Sequence, residues 1–377
     1  VVFITGEAGS GKSALLTEFT RRAIEAHPRL IAAGGAGAAI AGIGDPYLPF
    51  REILQQLTGD IEPQRIGAGL TPEHARRLWA AFPETLQALV AQGPDLIDTL
   101  LPGASLELRV QAFARTSGRS AWQDRLAQLL HAEASREKHA RQALNLADIF
   151  AQVTSVFQAI ARQHPLILTL DDLQWADAGT INLLFHLGRR LHASRIVVAA
   201  AYRPDAVAAP SDRELHPLEL VARELQRYSN QEAIDLDACE GRPFVEALLD
   251  SEPNRLGPTF REQLYRHTEG HPLFTVELLR SMESLGGLLC DAEGRWVEGP
   301  ALHWDSLPTR VDAAIAEHIG RLPAPCWTLL AAASVEGEEF MAESVARATG
   351  MDESAVIQCL SSNIGGHHRM VTQVEVQ

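Results

Sequence analysis

The chain begins VVFITGEAGSGKS, residues 1–13, and this segment carries the strongest signal in the sequence. Residues 1–5 are apolar and predict a short buried strand, and residues 12–26 place apolar side chains at helical spacing and predict a helix. The segment Gly6–Ser13 matches the phosphate-loop spacing GxxxxGK[ST] in full. A strand that enters such a loop and a helix that leaves it predict a P-loop domain. An ordinary glycine turn before a helix is the simpler alternative.

The chemistry of phosphate binding explains the residue types in this loop. Glycines let the backbone turn its N–H groups inward, and the helix N-terminus adds partial positive charge. We expect the Lys12 ammonium group to lie near the β- and γ-phosphates of a bound nucleotide, and the Ser13 hydroxyl to bind Mg²⁺. The residues assigned to the nucleotide are Gly6, Glu7, Ala8, Gly9, Ser10, Gly11, Lys12 and Ser13.

A second acidic motif follows residues 166–170, which are apolar on both faces, as in a strand of a parallel sheet. Asp171 and Asp172 then lie at the carboxyl end of that strand, where α/β sheets bind their ligands. We expect Asp171 to hold Mg²⁺, and Asp172 to orient or deprotonate the attacking water. The alternative is that both aspartates only cap the following turn. Asp177 stands just before a helix and is predicted to be its N-cap.

The rest of the chain alternates strands and helices before it becomes helical. Further strands are predicted at 30–33, 196–201 and 234–236, and further helices at 51–58, 146–163 and 178–192. Residues 60–145 predict an irregular helical insertion, with pieces at 73–81, 84–91 and 121–134 broken by proline and glycine. The alternation predicts an α/β fold with a doubly wound parallel sheet.

From about residue 240 the pattern is mainly helical. Helices are predicted at 242–250, 258–268, 272–286, 308–319, 325–333, 340–348 and 352–360, with a hairpin at 288–298. We therefore expect three domains: a P-loop domain over 1–238, a helical domain with a hairpin over 239–300, and a further helical domain over 301–377.

Composition excludes several classes of protein. The net charge of −15 argues against broad nucleic-acid binding, which needs a basic face. The four cysteines include no CxxC pair, so we expect reduced thiols and no zinc site. No apolar run approaches the roughly 20 residues that span a bilayer, and no signal peptide precedes the first strand. We expect a cytoplasmic protein without membrane contact, and, because both ends fall within strand patterns, a segment of a longer chain.

Five motifs occur in an order that resembles a known family. They are the loop Gly6–Ser13, DPYLPFRE at 45–52, LDDLQWAD at 170–177, AYRPD at 201–205 and TEGHPLF at 268–274. Together they resemble the STAND branch of AAA-related ATPases, specifically the origin-recognition-like ATPase domain of large bacterial regulators. Such regulators include LuxR-type proteins, activators with a bacterial transcriptional activation domain, and cyclase- or kinase-linked ATPases. The resemblance covers nearly the whole chain and is weakest over 60–145.

The resemblance implies roles for further residues. Arg203 matches the sensor arginine that reads the γ-phosphate, although a surface arginine after a strand is the alternative. Pro272 matches a lid proline that packs on the nucleotide base, although it would also suit a helix start. Residues 301–377 match a winged-helix domain. Four arginines face ten acidic residues there, a net charge of −6, so we do not expect this part to contact DNA.

These observations predict a slow, ATP-hydrolysing regulatory switch. Slow turnover is expected because many ATPases of this branch carry glutamate at the position of Asp172, whose side chain is one methylene shorter. The resemblance further implies nucleotide-dependent self-association and an inducer or effector domain outside this chain. Two alternatives remain open: a nucleotide-binding scaffold without significant hydrolysis, and a P-loop phosphotransferase. The second would need an arginine-rich lid, which the sequence does not suggest.

Overall fold

The computed structural model describes residues 1–38, 46–60, 71–117, 121–136, 146–192, 194–207, 216–229, 232–304, 307, 319, 324–337 and 340–360. They fall into two compact units, the first made of Val1–Glu7 and Lys12–Leu236, the second of Ala8–Gly11 and Asp237–Gln377. Three predicted features lie outside the described residues: the helix at 308–319 except for residue 319, the end of the chain after residue 360, and Asp45.

A parallel sheet forms the centre of the first unit. Its strands are β1 (Val2–Thr5), β2 (Ile31–Ala36), β3 (Leu166–Asp171), β4 (Ile196–Tyr202) and β5 (Ile234–Asp235). Within the described residues, the order across the sheet is β2-β3-β4-β1-β5 and every pairing is parallel. The predicted α/β class and parallel sheet are confirmed.

Helices cover both faces of this sheet. The first unit contains α1 (Lys12–Ala26), α2 (Leu48–Leu57), α3 (Pro72–Gln92), α4 (Gly103–Ser117), α5 (Ala121–Arg136), α6 (Leu146–Gln163), α7 (Ala178–Gly188), α8 (Pro204–Val207) and α9 (Pro217–Ser229). Alternate side chains of the strands point to opposite faces. Leu168 therefore joins the large core shared with α2, α3, α6, α7 and α9, whereas Ile167 packs with Ile24 of α1 on the other face.

The outer edge of β2 is closed by side chains instead of another strand. The amide of Gln56 accepts a hydrogen bond from the Gly34 N–H at 2.8 Å and donates one to the Gly34 carbonyl at 2.6 Å. The His74 ring bonds the backbone of Ala32, and the Glu52 carboxylate accepts from the Ala36 N–H. Alternate residues of this strand are thus satisfied by polar groups of α2 and α3, which removes an exposed edge.

Two local predictions were wrong, and three helices were not predicted. β2 runs through the glycine stretch to Ala36, because glycine lets α2 approach: a Cβ on Gly35 would lie 2.2 Å from the Pro49 carbonyl oxygen. α3 is one helix that contains Pro83, where two pieces were predicted. An internal proline costs about 3 kcal/mol, but Phe82 and Leu86 beside it are fully buried, and their packing outweighs that cost. The three helices that were not predicted are α4, α8 and α9.

The second unit is built from two helical groups. The first contains α10 (Gly241–Asp250), α11 (Pro258–Thr268), α12 (Pro272–Ser284) and the hairpin of β6 (Leu288–Cys290) with β7 (Trp296–Glu298), around one apolar cluster. The second contains α13 (Ala324–Glu336), α14 (Ala342–Thr349) and α15 (Glu353–Gln358). Its two buried thiols, Cys326 and Cys359, have Sγ atoms 2.8 Å apart. The winged-helix fold for 301–377 stays a prediction.

None of the helices in the described ranges combines the length and the apolar character needed to cross a membrane.

Candidate functional site

The candidate residues of the first unit follow the carboxyl ends of three neighbouring strands. β4 lies between β3 and β1, with Leu170 paired to Ala200 and Thr5 paired to Tyr202. Asp171 ends β3, and Arg203 follows Tyr202 directly. The phosphate loop begins immediately after Thr5. Because parallel strands end at the same edge of a sheet, the topology brings the loop, the acidic motif and Arg203 to one edge.

The backbone of the loop adopts the conformations that its glycines permit. Gly6, Gly9 and Gly11 have φ values of 156°, 81° and 95°. A Cβ added to Gly11 would meet no atom within 4 Å, so the loop borders open space there. The Lys12 side chain is only 7% exposed, and its Nζ donates to the Gly6 carbonyl at 2.9 Å and to the Glu7 carbonyl at 2.7 Å.

These contacts are the ones expected of a loop that binds a polyphosphate. The ammonium group curls back over the loop that precedes it, so its charge is held beside the backbone that would surround the phosphates. Ser10 is buried, whereas Glu7 and Ala8 are exposed.

Asp171 and Ser13 form the candidate metal site. Burial raises the pKa of the Asp171 carboxyl above its ordinary value, and hydrogen bonds from the Ser13 hydroxyl and the Asp172 N–H partly offset this rise. Within the described residues, no three His, Cys, Asp or Glu side chains form a cluster that could enclose a metal ion. One carboxylate and one hydroxyl suit Mg²⁺, which usually keeps several waters and binds phosphate oxygens as well.

Asp172 begins a tight turn after β3. Its backbone is left-handed, with φ of 48° and ψ of 40°, and a 3₁₀ turn over Leu173–Trp175 follows it. Its Oδ1 accepts a hydrogen bond from the Gln174 side chain. Asp177 is the N-cap of α7, as predicted, because its carboxylate accepts from the Thr180 N–H at 3.0 Å.

Two residues of the turn after β3, Gln174 and Trp175, contact Arg203. Its backbone N–H donates to the Gln174 amide oxygen at 3.1 Å. Its guanidinium lies over the Trp175 ring, 5.7 Å from the ring centroid. Its Nε is buried and, among the residues that the structure describes, has no hydrogen-bond partner. A buried donor left in this way costs about 1–3 kcal/mol, and an anionic oxygen is the partner that would relieve the cost.

Pro272 occupies the first turn of α12, and His271 before it is the N-cap. The Nδ1 of His271 accepts from the Phe274 N–H, so the proton of the neutral ring lies on Nε2, which contacts the Ala8 carbonyl at 3.1 Å. The Leu273 N–H donates to the Gly9 carbonyl. Ala8–Gly11 belongs to the second unit by its packing, so these contacts lie within that unit. Whether Pro272 touches a nucleotide base stays a prediction.

Sequence reasoning missed three residues of these contacts: Gln174, Trp175 and His271. Gln174 and Trp175 stand inside the LDDLQWAD run, and His271 inside TEGHPLF, so the motifs contained them without indicating their partners. The one signal for Gln174 in the sequence was a polar residue between a leucine and a tryptophan.

A parallel sheet of this order, a glycine loop ending in Lys12 and Ser13, and an acidic strand end define a P-loop nucleoside-triphosphate-binding protein. The model of the AAA ATPase domain family matches residues 1–199, just over half of the chain, and the chain belongs to that family. Nucleotide binding and ATPase chemistry of the general AAA kind follow from this membership. Neither the curated proteins nor the solved structures contain a match to the chain.

Proposed function

We propose that the chain is an ATP-binding, slowly ATP-hydrolysing regulatory switch of the STAND branch. It would serve a bacterial regulator of signal transduction or transcription. The observation that carries the proposal is the contact between the Ser13 hydroxyl and the Asp171 carboxylate. It joins the phosphate loop to the acidic strand end, as a shared Mg²⁺ site requires.

Each residue has a role that its position supports. Lys12, Ser13 and Asp171 would hold Mg²⁺-ATP, which supplies the reactive γ-phosphate and the charge-neutralising metal. Asp172 is the group that orients or deprotonates the attacking water. Arg203 senses the γ-phosphate, because a guanidinium can bind two phosphate oxygens at once.

The regulatory role rests on differential binding. ADP favours a closed form and ATP an open, self-associating form, in which Pro272 and residues 239–300 act as the lid and residues 301–377 as a winged-helix regulatory domain. A ligand shifts such an equilibrium only by its difference in affinity for the two forms. Equal affinity of both forms for ATP and ADP would exclude the switch. An inducer and an effector domain outside this chain complete the proposal. DNA is not a proposed partner, given the net charge of −6 over 301–377.

A nucleotide-binding scaffold without significant hydrolysis is the second candidate. Asp172 favours it, because this carboxylate is one methylene shorter than the glutamate that many ATPases of this branch carry at the same position. A phosphotransferase has no comparable support.

Release of inorganic phosphate from ATP in the presence of Mg²⁺ distinguishes the two candidates. The switch predicts slow release by the parent protein and a strong decrease in Asp172→Asn, with nucleotide affinity retained. The scaffold predicts equal, negligible release by both. A steady-state rate of tens per second would contradict a slow switch.

A further inference from the structure

Gln174 makes two hydrogen bonds that join two candidate functional groups. Its Nε2 donates to Asp172 Oδ1 at 2.6 Å, and its Oε1 accepts from the Arg203 N–H at 3.1 Å. The residue is only 6% exposed. The side chain thus connects the turn after β3 to the end of β4.

The chemistry of these partners requires an amide. Asp172 offers an acceptor and the Arg203 backbone offers a donor, so the bridging side chain must donate at one end and accept at the other. A flipped amide would oppose oxygen to carboxylate and NH₂ to N–H, so the partners fix its orientation. Glutamate at this position would put two carboxylates together, and methionine would make neither bond.

The turn itself is anchored independently of this bridge. Leu173 is fully buried in the large core, and the Trp175 N–H bonds the Asp172 carbonyl at 3.0 Å. The Gly37 N–H donates to the Asp171 carbonyl on the other side. The backbone of the turn therefore does not depend on the Gln174 side chain. The role that remains for its amide is to orient the Asp172 carboxylate.

The Gln174 side chain bonds Oδ1 of the Asp172 carboxylate and does not bond Oδ2. Within the part of the chain that the structure describes, Oδ2 of Asp172 accepts no hydrogen bond. A carboxylate fixed through Oδ1 presents Oδ2 in one orientation, and orientation of a catalytic base accounts for much of its effect. Trp175, in the same turn, lies under the Arg203 guanidinium, so the turn orients both groups.

We propose that Gln174 is a positioning residue of the hydrolytic site, whose two hydrogen bonds hold the Asp172 carboxylate in a fixed position relative to Arg203. This proposal rests on the proposed function, since Asp172 must act in hydrolysis for Gln174 to act through it. Gln174 does not contact the phosphate loop in any described hydrogen bond, so its loss should affect hydrolysis and spare nucleotide binding.

The test compares Gln174→Met with Gln152→Met in the full chain. Gln152 is a matched control from α6, because its amide makes the same two kinds of bond, to the Asp95 carboxylate at 2.6 Å and from the Asp95 N–H at 3.0 Å. Single-turnover phosphate release gives the hydrolysis rate, and titration with a fluorescent ADP analogue gives the affinity. We expect Gln174→Met to lower the rate about 10- to 100-fold with the affinity unchanged, and Gln152→Met to change neither.

A double-mutant cycle with Asp172→Asn separates positioning from a general loss of structure. If Gln174 acts through Asp172, the double variant hydrolyses no more slowly than Asp172→Asn alone. Additive losses, or a rate for Gln174→Met equal to that of the parent, would overturn the proposal while leaving the ATPase function in place.

Two further outcomes are distinguishable. If the melting temperature of Gln174→Met lies well below that of Gln152→Met, Gln174→Glu is tested in place of Gln174→Met. Glutamate keeps the shape of the side chain and the hydrogen bond from the Arg203 N–H, but it places a negative charge against the Asp172 carboxylate. This variant must also lose hydrolysis while its nucleotide affinity is retained. Normal hydrolysis by that variant refutes the positioning role. If the parent protein binds no Mg²⁺-ATP, the proposed function fails first, and the role of Gln174 fails with it.

Discussion

Replacing Lys12 by methionine tests the phosphate loop most directly. Methionine retains most of the buried stem and removes the ammonium group, so packing around α1 changes little. In the structure this group donates to the Gly6 and Glu7 carbonyls, both in the loop that precedes the helix. The substitution therefore removes the positive charge from the site and two hydrogen bonds that help to close the loop.

The magnitude follows from the kind of contact that is lost. A hydrogen bond to a charged group is worth about 1.5–3 kcal/mol net, and each 1.4 kcal/mol corresponds to about a tenfold change in affinity. One ammonium–phosphate contact therefore predicts binding of Mg²⁺-ATP weaker by about 10- to 150-fold. AMP has neither a β- nor a γ-phosphate, so its affinity should change by less than about threefold.

Isothermal titration calorimetry with ATP, ADP and AMP measures these differences. Lys138→Met is the charge-matched control, because Lys12 and Lys138 are the only lysines of the chain. Lys138→Met should bind all three nucleotides as the parent does. If Lys12→Met bound ATP as tightly as the parent, or lost AMP affinity to the same degree as ATP, the assignment of the loop to the polyphosphate would be refuted.

Three further predictions concern stability and the loop. Burial raises the pKa of Asp171, so the contribution of this carboxyl to the free energy of unfolding is present below its ordinary pKa and is lost as pH rises through its folded pKa. Asp171→Asn should therefore raise the melting temperature at pH 7 by about 2 °C, and it should abolish any effect of Mg²⁺ on ATP affinity. A lower melting temperature would contradict this. Burial lowers the pKa of His74, so its contribution is lost as pH falls below about 6.5; in urea unfolding, His74→Gln should lose less stability than the parent between pH 7.5 and 5.5. Gly9→Ala forces an alanine into a left-handed conformation, at φ 81° and within 2.7 Å of a neighbouring side chain, and should weaken ATP binding about tenfold, whereas Gly294→Ala, at φ 74° with open space around it, should leave binding unchanged.

The phosphate loop, the acidic strand end and the sheet class could be predicted because each depends on local pattern. Gly6–Ser13 specifies its own conformation, and the apolar run before Asp171 is readable as a buried strand without any knowledge of its neighbours. Gln174 could not be assigned in this way, because one of its partners, Arg203, lies 29 residues further along the chain. The prediction of a helix break at Pro83 was wrong for the same reason. The burial of Phe82 depends on tertiary packing, and that packing overrides the low helix propensity of proline.

The helical insertion was the weakest part of the sequence prediction, and yet it supports the acidic motif. α3, which lies within it, supplies the His74 ring that bonds the backbone of β2, and β2 pairs along its length with β3. In that register Ala36 stands opposite Asp171, and the Gly37 N–H beyond it bonds the Asp171 carbonyl. An edge strand without such partners would be free to fray or to pair with another chain. The insertion therefore helps to fix the backbone that carries Asp171, the carboxylate proposed to bind metal, a role that its broken helical pattern does not suggest.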